Sequence, residues 1–274
     1  NLPSEPHPIT GRSPRSAWEE HKKVLREALV LVDGDFKYKL IVLCWPRGEA
    51  KTYINSYITL WKFFCWPEQN LVLCANSKDQ SKMVQFEIVK KIIQNSPKLM
   101  RFVGRKNLQE KQIRLRDKNL KTVSTIQSVT SYTGILSGIT GFAFSEIFLL
   151  RDQEFWNQIS GSLRVTPNAL GLIDSTVSSK THILYHLYTS FQEKQEGSDI
   201  IYFNYRFSET GDYRDYINPS YTQKELDGYK VTQVLGGFER FYLNLWSHGA
   251  ERVFPEEQVA ATNYLGADGS YRNH

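Results

Sequence analysis

Residues 39–64 read KLIVLCWPRGEAKTYINSYITLWKFF, and this stretch decides the fold. The run from Lys39 to Trp45 is nearly all apolar and is bounded by Pro46, which predicts a strand buried on both faces. A short turn, PRGEA, follows, and the next fourteen residues predict a helix. A buried strand, a tight turn and a helix in this order form the setting of a phosphate-binding loop.

The turn matches the phosphate-loop pattern GxxxxGK[ST] only in part. Lys51 and Thr52 occupy its last two positions, whereas the two glycine positions hold Trp45 and Ala50. Gly48 remains inside the turn, and a methyl group at Ala50 would distort the loop if φ is positive there. GEAKT also occurs by chance as a plain helix start. The residues predicted to bind nucleotide are Pro46, Arg47, Gly48, Glu49, Ala50, Lys51 and Thr52.

Predicted strands and helices alternate through the rest of the chain. Strands are expected at 39–45, 70–75, 142–150, 169–174 and 200–204, with a hairpin at 112–126. Helices are expected at 17–31, 51–64, 79–94, 153–159 and 181–192. This alternation predicts an α/β domain with a mostly parallel sheet flanked by helices.

Three regions are expected along the chain. Residues 1–30 form an N-terminal arm and helix, and residues 31–205 form the core. Residues 206–274 form a small C-terminal lid or linker, with a tyrosine-rich loop and a helix at about 231–246.

A second candidate site residue lies in the apolar run FAFSEIFLL, which places Ser145 and Glu146 within the predicted strand 142–150. A charged carboxylate flanked by phenylalanine and isoleucine costs free energy to bury without a use. Nucleotide hydrolysis needs such a carboxylate at a strand end beside the phosphate loop, to polarise the attacking water. We therefore favour Glu146 as a catalytic base, with a solvent-facing residue of an edge strand as the alternative.

Composition limits the partners only loosely. The net charge of +5 permits a nucleic-acid partner without requiring one. Residues 98–121 hold nine Lys or Arg and two acidic residues, which indicates a phosphate-contacting surface or equally a solvated face. No run of 18 uncharged apolar residues occurs, so no membrane span is expected. Three cysteines without a CxxC pair are expected to be reduced, as inside a cell.

Several motifs in order resemble the large terminase subunits of tailed bacteriophages. PRGEAKT resembles their variant phosphate loop, which often has an arginine shortly before the glycine. LSGITGFAFSEI resembles their Walker B strand, with Ser-Glu in place of an acidic pair. LIDSTVSSKTHILYHLY resembles the Ser-Thr coupling segment, and GGFERFYLNLW resembles a helix near the end of the ATPase region. The resemblance spans about residues 25–260.

The resemblance implies an ASCE-type P-loop NTPase that hydrolyses ATP with Mg²⁺ and translocates double-stranded DNA into a procapsid. Arg47 would then sense phosphate as a catalytic residue, and Glu146 would activate water. The hydroxyls of Thr52 and Ser145 would lie on the metal side. Hydrolysis would be coupled to movement by Ser175 and Thr176.

The resemblance also implies partners. These are a portal protein, a small terminase subunit and further copies in a homo-oligomeric ring, such as a pentamer, in the host cytoplasm. The nuclease half of such proteins would begin after about residue 270, so no nuclease activity is expected here. The loop before the Walker B strand lacks the arginine that acts across the ring in the family. Other candidates for this role are Arg101, Arg105, Arg114, Arg116 and Arg151.

Two other functional classes fit the same residues. One is another P-loop DNA motor, such as a helicase or repair ATPase. The other is a degenerate module that binds nucleotide or DNA without hydrolysis, because both glycine positions of the loop are substituted.

Overall fold

The computed structural model describes residues 14–75, 84–119, 121–130, 138–150, 153–234 and 236–247. Some predicted features lie outside these ranges. They are the arm at 1–13, the start of the helix expected at 79–94, most of the loop before the Walker B strand, Arg151, and residues 248–274 of the lid region.

Seven helices and nine strands are described. The helices are α1 (Pro14–Ala28), α2 (Lys51–Cys65), α3 (Val84–Gln94), α4 (Pro97–Val103), α5 (Gln153–Val165), α6 (Ile183–Gln192) and α7 (Gln223–Thr232). The strands are β1 (Leu31–Val32), β2 (Asp35–Phe36), β3 (Leu40–Cys44), β4 (Asn70–Ala75), β5 (Gln112–Arg116), β6 (Thr122–Thr130), β7 (Gly141–Ser145), β8 (Leu170–Ser175) and β9 (Ile201–Tyr205).

Seven strands form one sheet in the order β5-β6-β4-β7-β8-β3-β9. Every neighbouring pair is parallel except β5 and β6, which form the predicted hairpin. The predicted α/β architecture with a mostly parallel sheet is therefore confirmed. In this order β8 lies between β3, which precedes the predicted phosphate loop, and β7, which precedes Glu146. The strand that leads to the glutamate is thus the second neighbour of the phosphate-loop strand.

Alternate residues of β3 face the two sides of the sheet, because successive side chains of a strand point in opposite directions. Ile41 and Leu43 pack in one core cluster with residues of α1, α2 and α3. Leu40, Val42 and Cys44 pack in another with residues of α5 and α6. Helices on both faces bury the strand completely, as its apolar run predicts.

The strand predicted at 142–150 is too long, since β7 ends at Ser145. Glu146 has φ 54° in the left-handed region, and a 3-10 turn follows at Ile147–Leu149. The Glu146 N–H donates to the Asp174 carbonyl at 2.7 Å, and local turn bonds then replace the strand ladder. The apolar sequence extends beyond the end of β7 because Ile147 is buried in the turn that follows the strand. Since β4 and β8 flank β7, the edge-strand interpretation of Glu146 is also wrong.

The helix predicted at about 231–246 is wrong as well. The helix of this region, α7, begins at Gln223, where Thr222 and Glu225 form a capping box. Gly236, with φ 75°, interrupts the helical pattern, and a π-helical turn occupies Glu239–Leu243. None of the described helices combines the length and the apolar composition that crossing a membrane requires.

Candidate functional site

The turn between β3 and α2 adopts a strained conformation. Gly48 has φ 75° and Ala50 has φ 60°, so the methyl group of Ala50 sits in the left-handed region that costs an L-residue about 1–2 kcal/mol. The first bond of α2 runs from the Ile54 N–H to the Ala50 carbonyl at 3.0 Å. No side chain caps this helix, so the N–H groups of Lys51 and Thr52 precede any intrahelical acceptor. Such an uncapped helix start favours an anion.

Trp45 replaces the first glycine of the pattern for a reason of packing. Its side chain is fully buried, and its Nε1 donates to Asn204 Oδ1 at 2.8 Å. The His21 ring stacks on it with centroids 5.6 Å apart. Trp45 thus anchors the end of β3 to β9 and α1. Neither partner is near in sequence, so local motif analysis could not show this.

Glu49 connects the loop to the C-terminal segment. Its carboxylate is buried and accepts the backbone N–H groups of Ile217 at 2.9 Å and Asn218 at 3.1 Å. These two charge-assisted bonds fix the loop against residues 216–221. The Glu49 side chain therefore points into the protein, toward Ile217 and Asn218. Any contact of this residue with phosphate would come from its backbone.

Two side chains of the same segment, residues 216–221, also donate hydrogen bonds to backbone carbonyls of the loop. The Tyr221 hydroxyl donates to the Arg47 carbonyl at 2.9 Å, and Asn218 Nδ2 donates to the Gly48 carbonyl at 3.1 Å. A Cβ atom at Gly48 would collide with the Tyr221 hydroxyl. The glycine of the turn is therefore required both by its positive φ and by this close approach.

Lys51 and Glu146 are brought together from distant parts of the chain. Lys51 is 5% exposed, and its Nζ donates to the Pro46 carbonyl at 3.3 Å. The same Nζ lies 4.0 Å from Glu146 Oε1, whose side chain is 36% exposed. A cation and a carboxylate therefore face each other at the carboxyl ends of β3 and β7. The catalytic and binding roles assigned to them from the sequence stay predictions.

Asp174 is the site residue that sequence reasoning missed. It is fully buried near the end of β8, and its Oδ2 accepts hydrogen bonds from Thr52 Oγ1 at 2.8 Å and Ser145 Oγ at 2.9 Å. Burial, reinforced by the nearby Glu146 charge, raises the pKa of Asp174 to about 6. The segment LGLIDS carries the same signal as FAFSEI, namely a carboxylate in an apolar strand.

Ser175 and Thr176 follow directly and are both buried. The Ser175 hydroxyl donates to the Thr176 carbonyl at 2.7 Å and accepts the Phe148 N–H at 3.2 Å. Thr176 Oγ1 has no hydrogen-bond partner among the residues that the structure describes. Ser175 thus joins the end of β8 to the turn that follows Glu146. The coupling role predicted for the pair stays a prediction.

Arg47 is directed at the C-terminal segment. Its guanidinium lies 4.0 Å from the Phe241 ring centroid, and the backbone N–H of Arg47 donates to the Phe241 carbonyl at 2.8 Å. Arg240 makes a similar contact, 4.1 Å from the ring centroid of Phe148, and its Nε donates to the Val177 carbonyl at 3.1 Å. Two arginine–aromatic stacks therefore join this segment to the phosphate loop and to the turn after Glu146.

Asn244 completes this junction. It is fully buried with φ 58°, and its Nδ2 donates to the carbonyls of Cys44 at 2.9 Å and Arg206 at 2.7 Å. Its Oδ1 accepts the Val177 N–H at 2.8 Å. One amide therefore holds together the ends of β3, β8 and β9.

The basic segment lies away from this site. β5 is the edge strand, and four strands separate it from β3. Of the candidate trans-acting arginines within the described residues, Arg101, Arg105 and Arg116 are exposed and Arg114 is half-buried. Their contribution to a neighbouring subunit stays a prediction.

No protein-family model and no curated protein sequence matches the chain. Solved structures do match. The large terminase of bacteriophage HK97 aligns with a TM-score of 0.61 and 15% identity, over 76% of this chain and 47% of that one. The large terminase of a thermophilic bacteriophage gives 0.58 and 15%, over 83% and 53%. The large-terminase ATPase domain of Thermus phage P74-26 gives 0.57 and 15%, over 77% and 89%.

The chain therefore has the fold of phage large-terminase ATPase domains, in agreement with the predicted α/β fold class. It spans about half the length of the first two of these proteins, and most of the P74-26 domain.

Proposed function

We propose that this chain is an ATP-hydrolysing motor domain that drives packaging of double-stranded DNA. The observation that supports this most is the 4.0 Å approach of Lys51 and Glu146 at the carboxyl ends of the sheet strands, in a fold shared with terminase ATPase domains. The large terminase of the thermophilic bacteriophage has been solved with ADP and with ATP-γ-S, which supports a nucleotide site in this fold.

The chain's own residues supply binding and proton transfer. The N-terminus of α2 and the Lys51 ammonium bind the phosphate oxygens, and the backbone of 46–50 surrounds them. Glu146 orients the attacking water and accepts its proton while the terminal phosphoryl group is transferred. Arg47 leaves the Phe241 ring to reach the terminal phosphate, which breaks its stacking contact with the C-terminal segment.

The site fits Mg²⁺ by the chemistry of its donors. Thr52 Oγ1 and Ser145 Oγ converge on one carboxylate oxygen, so the available donors are all oxygen, which Mg²⁺ prefers. When bound, the ion neutralises charge on the phosphate oxygens. The hydroxyls of Thr52 and Ser145 would lie on the metal side of the site, where both donate hydrogen bonds to Asp174.

Coupling and partners follow from the same proposal. Ser175 transmits the state of the site from the end of β8 to the turn after Glu146, and Thr176 offers its buried hydroxyl to the terminal phosphate. The motor acts on double-stranded DNA as a homo-oligomeric ring, such as a pentamer, beside a portal protein and a small terminase subunit in the host cytoplasm.

The decisive variant is Glu146→Gln, which keeps the shape of the side chain and removes its basicity. We expect ATP turnover in the presence of double-stranded DNA to fall about 1,000-fold, since general bases contribute about 100- to 10,000-fold. Binding of a fluorescent ATP analogue should stay within about threefold of the unmodified protein, because phosphate contacts remain. Glu196→Gln, an exposed residue before β9, is the matched control.

Unchanged turnover in Glu146→Gln would contradict the assigned base. A folded protein that binds no ATP analogue would instead favour the non-hydrolysing module. ATP-driven separation of DNA strands by the purified chain would favour a helicase.

A further inference from the structure

The central position of Asp174 in the sheet is unusual for a structural carboxylate. β8 lies between β3 and β7, and Asp174 pairs in register with Leu43 on one side and Ser145 on the other. Its backbone carbonyl also accepts the Glu146 N–H. Asp174 therefore occupies the same level of the sheet as the Ser-Glu pair, one strand closer to the phosphate loop.

The three side chains that donate hydrogen bonds to this carboxylate are all neutral. Oδ2 accepts from the hydroxyls of Thr52 and Ser145, and Oδ1 accepts from Asn55 Nδ2 at 3.0 Å. Among the described residues no lysine, arginine or histidine forms an ion pair with Asp174. Neutral donors offset only part of the several kcal/mol that a buried carboxylate costs, so the site retains negative charge that a cation would compensate.

The two residues assigned to the metal side from the sequence both contact Asp174. Thr52 belongs to the phosphate loop, and Ser145 stands where an acidic residue is expected at the end of the Walker B strand. A serine hydroxyl is a weaker ligand for Mg²⁺ than a carboxylate. The carboxylate missing from position 145 is thus present within hydrogen-bond distance of it, on the neighbouring strand.

We propose that Asp174, and not Ser145, is the metal-side carboxylate of this site, with Ser145 donating a hydrogen bond that orients it. This inference rests on the proposed nucleotide site. Asp174 holds Mg²⁺ directly or through a metal-bound water, and Thr52 contributes its hydroxyl. The acidic pair of the site is then divided between two adjacent strands, with the metal carboxylate on β8 and the base on the turn after β7.

The rival explanation is a purely structural role for Asp174. Thr52 and Asn55 both lie in the first two turns of α2, and their hydrogen bonds to Asp174 fix the position of this helix end. The two explanations differ in their dependence on Mg²⁺. Loss of a structural contact would change nucleotide affinity equally with and without Mg²⁺. Loss of a metal-binding carboxylate would reduce only the gain in affinity that Mg²⁺ provides.

The test is equilibrium binding of a fluorescent ATP analogue to the full chain, with Mg²⁺ and with a chelator. In the unmodified protein Mg²⁺ should tighten binding by about 10-fold or more, and Asp174→Asn should reduce that ratio to about one, because it removes the carboxylate that holds the ion. Ser145→Ala should lower the ratio less than Asp174→Asn does and should not abolish it, because it removes only an orienting hydrogen bond. The exposed Asp199→Asn variant is the control.

A double variant tests the division between strands. Ser145→Asp combined with Asp174→Asn moves the carboxylate to the neighbouring strand, and we expect it to restore at least half of the Mg²⁺ effect on a logarithmic scale. If Asp174→Asn does not fold, Ser145→Ala still decides, because a lost Mg²⁺ effect in that variant assigns the metal to Ser145 and overturns the proposal.

Two failures are distinguishable. An unmodified protein that responds to Mg²⁺ together with an Asp174→Asn protein that responds equally would overturn this inference alone. An unmodified protein that binds no nucleotide under either condition would overturn the proposed function, and this inference with it.

Discussion

Helix α2 contains two buried lysines that differ in how their charges are satisfied. Lys51 in its first turn is 5% exposed and Lys62 in its last turn is 2% exposed. Eleven residues separate them, or about 16 Å along the helix axis. Lys62 donates to Gln69 Oε1 at 2.8 Å and to the Asn168 carbonyl at 2.7 Å, and its Nζ lies 5.3 Å from the Trp66 ring centroid.

Lys51 has looser contacts, with a carbonyl at 3.3 Å and the Glu146 carboxylate at 4.0 Å. Hydrogen bonds at good distance offset part of the free-energy cost of burying an ammonium, and Lys62 makes two of them. The long contacts of Lys51 are typical of a group whose best partner is a ligand. Burial alone therefore does not distinguish the two lysines, whereas the lengths of their contacts do.

The largest expected effect comes from exchanging each lysine for methionine. Lys51→Met should weaken binding of a fluorescent ATP analogue by at least about 100-fold, or about 3 kcal/mol, because charge-assisted contacts to the phosphates are lost. Lys62→Met should change that affinity by less than about threefold, since it removes contacts at the other end of the helix. Equal losses in the two variants would contradict the distinction.

A smaller effect is expected in the pH dependence of stability. Burial lowers the pKa of Lys62 from 10.5 to about 8, with the Lys39 charge adding to the shift. Between these values the unfolded chain binds more protons than the folded one, so the Lys62 contribution to the free energy of unfolding rises with pH. The rise between pH 8 and 10 should be about 2 kcal/mol.

The measurement is urea unfolding of the unmodified protein and Lys62→Met across that pH range. Their difference cancels the titration of other groups, and the advantage of the unmodified protein should grow as pH rises. A difference that stays flat from pH 8 to 10 would show that Lys62 titrates normally.

The smallest effect concerns the residue before Lys51. Ala50→Gly relieves the strain of an alanine in the left-handed region, about 1–2 kcal/mol. It also increases the conformational entropy of the unfolded chain, which lowers stability by about 0.4–1 kcal/mol. The expected net stabilisation is about 0.5 kcal/mol. Gly48→Ala is the opposed control, because its new Cβ would meet the Tyr221 hydroxyl and should destabilise the protein. Thermal unfolding measures both. Destabilisation by Ala50→Gly would mean that the methyl group makes contacts that outweigh its strain.

The sequence predicted best where one local signal decides the structure. The apolar run before Pro46 and the helical spacing after Ala50 gave β3 and α2 within one residue at each end. The strand at 70–75 was predicted with the bounds of β4. Buried parallel strands and amphipathic helices have strong local patterns, so the fold class could be predicted from them.

Features that depend on distant partners could not be predicted. The turn after Ser145 is held in part by the Ser175 hydroxyl at the end of β8, which accepts the Phe148 N–H, and no local pattern reveals this contact. The contacts of Glu49 with Ile217 and Asn218 join residues about 170 positions apart. Asp174 is intermediate, since LGLIDS shows a carboxylate in an apolar strand but only the sheet register places it beside Ser145.

The most direct measurement is a high-resolution structure of this chain with Mg²⁺ and a non-hydrolysable ATP analogue. We expect the terminal phosphate to lie between Lys51 and Glu146, with the backbone of 46–50 around the triphosphate. An analogue bound elsewhere, or Lys51 still directed at the Pro46 carbonyl beside an occupied nucleotide site, would contradict it.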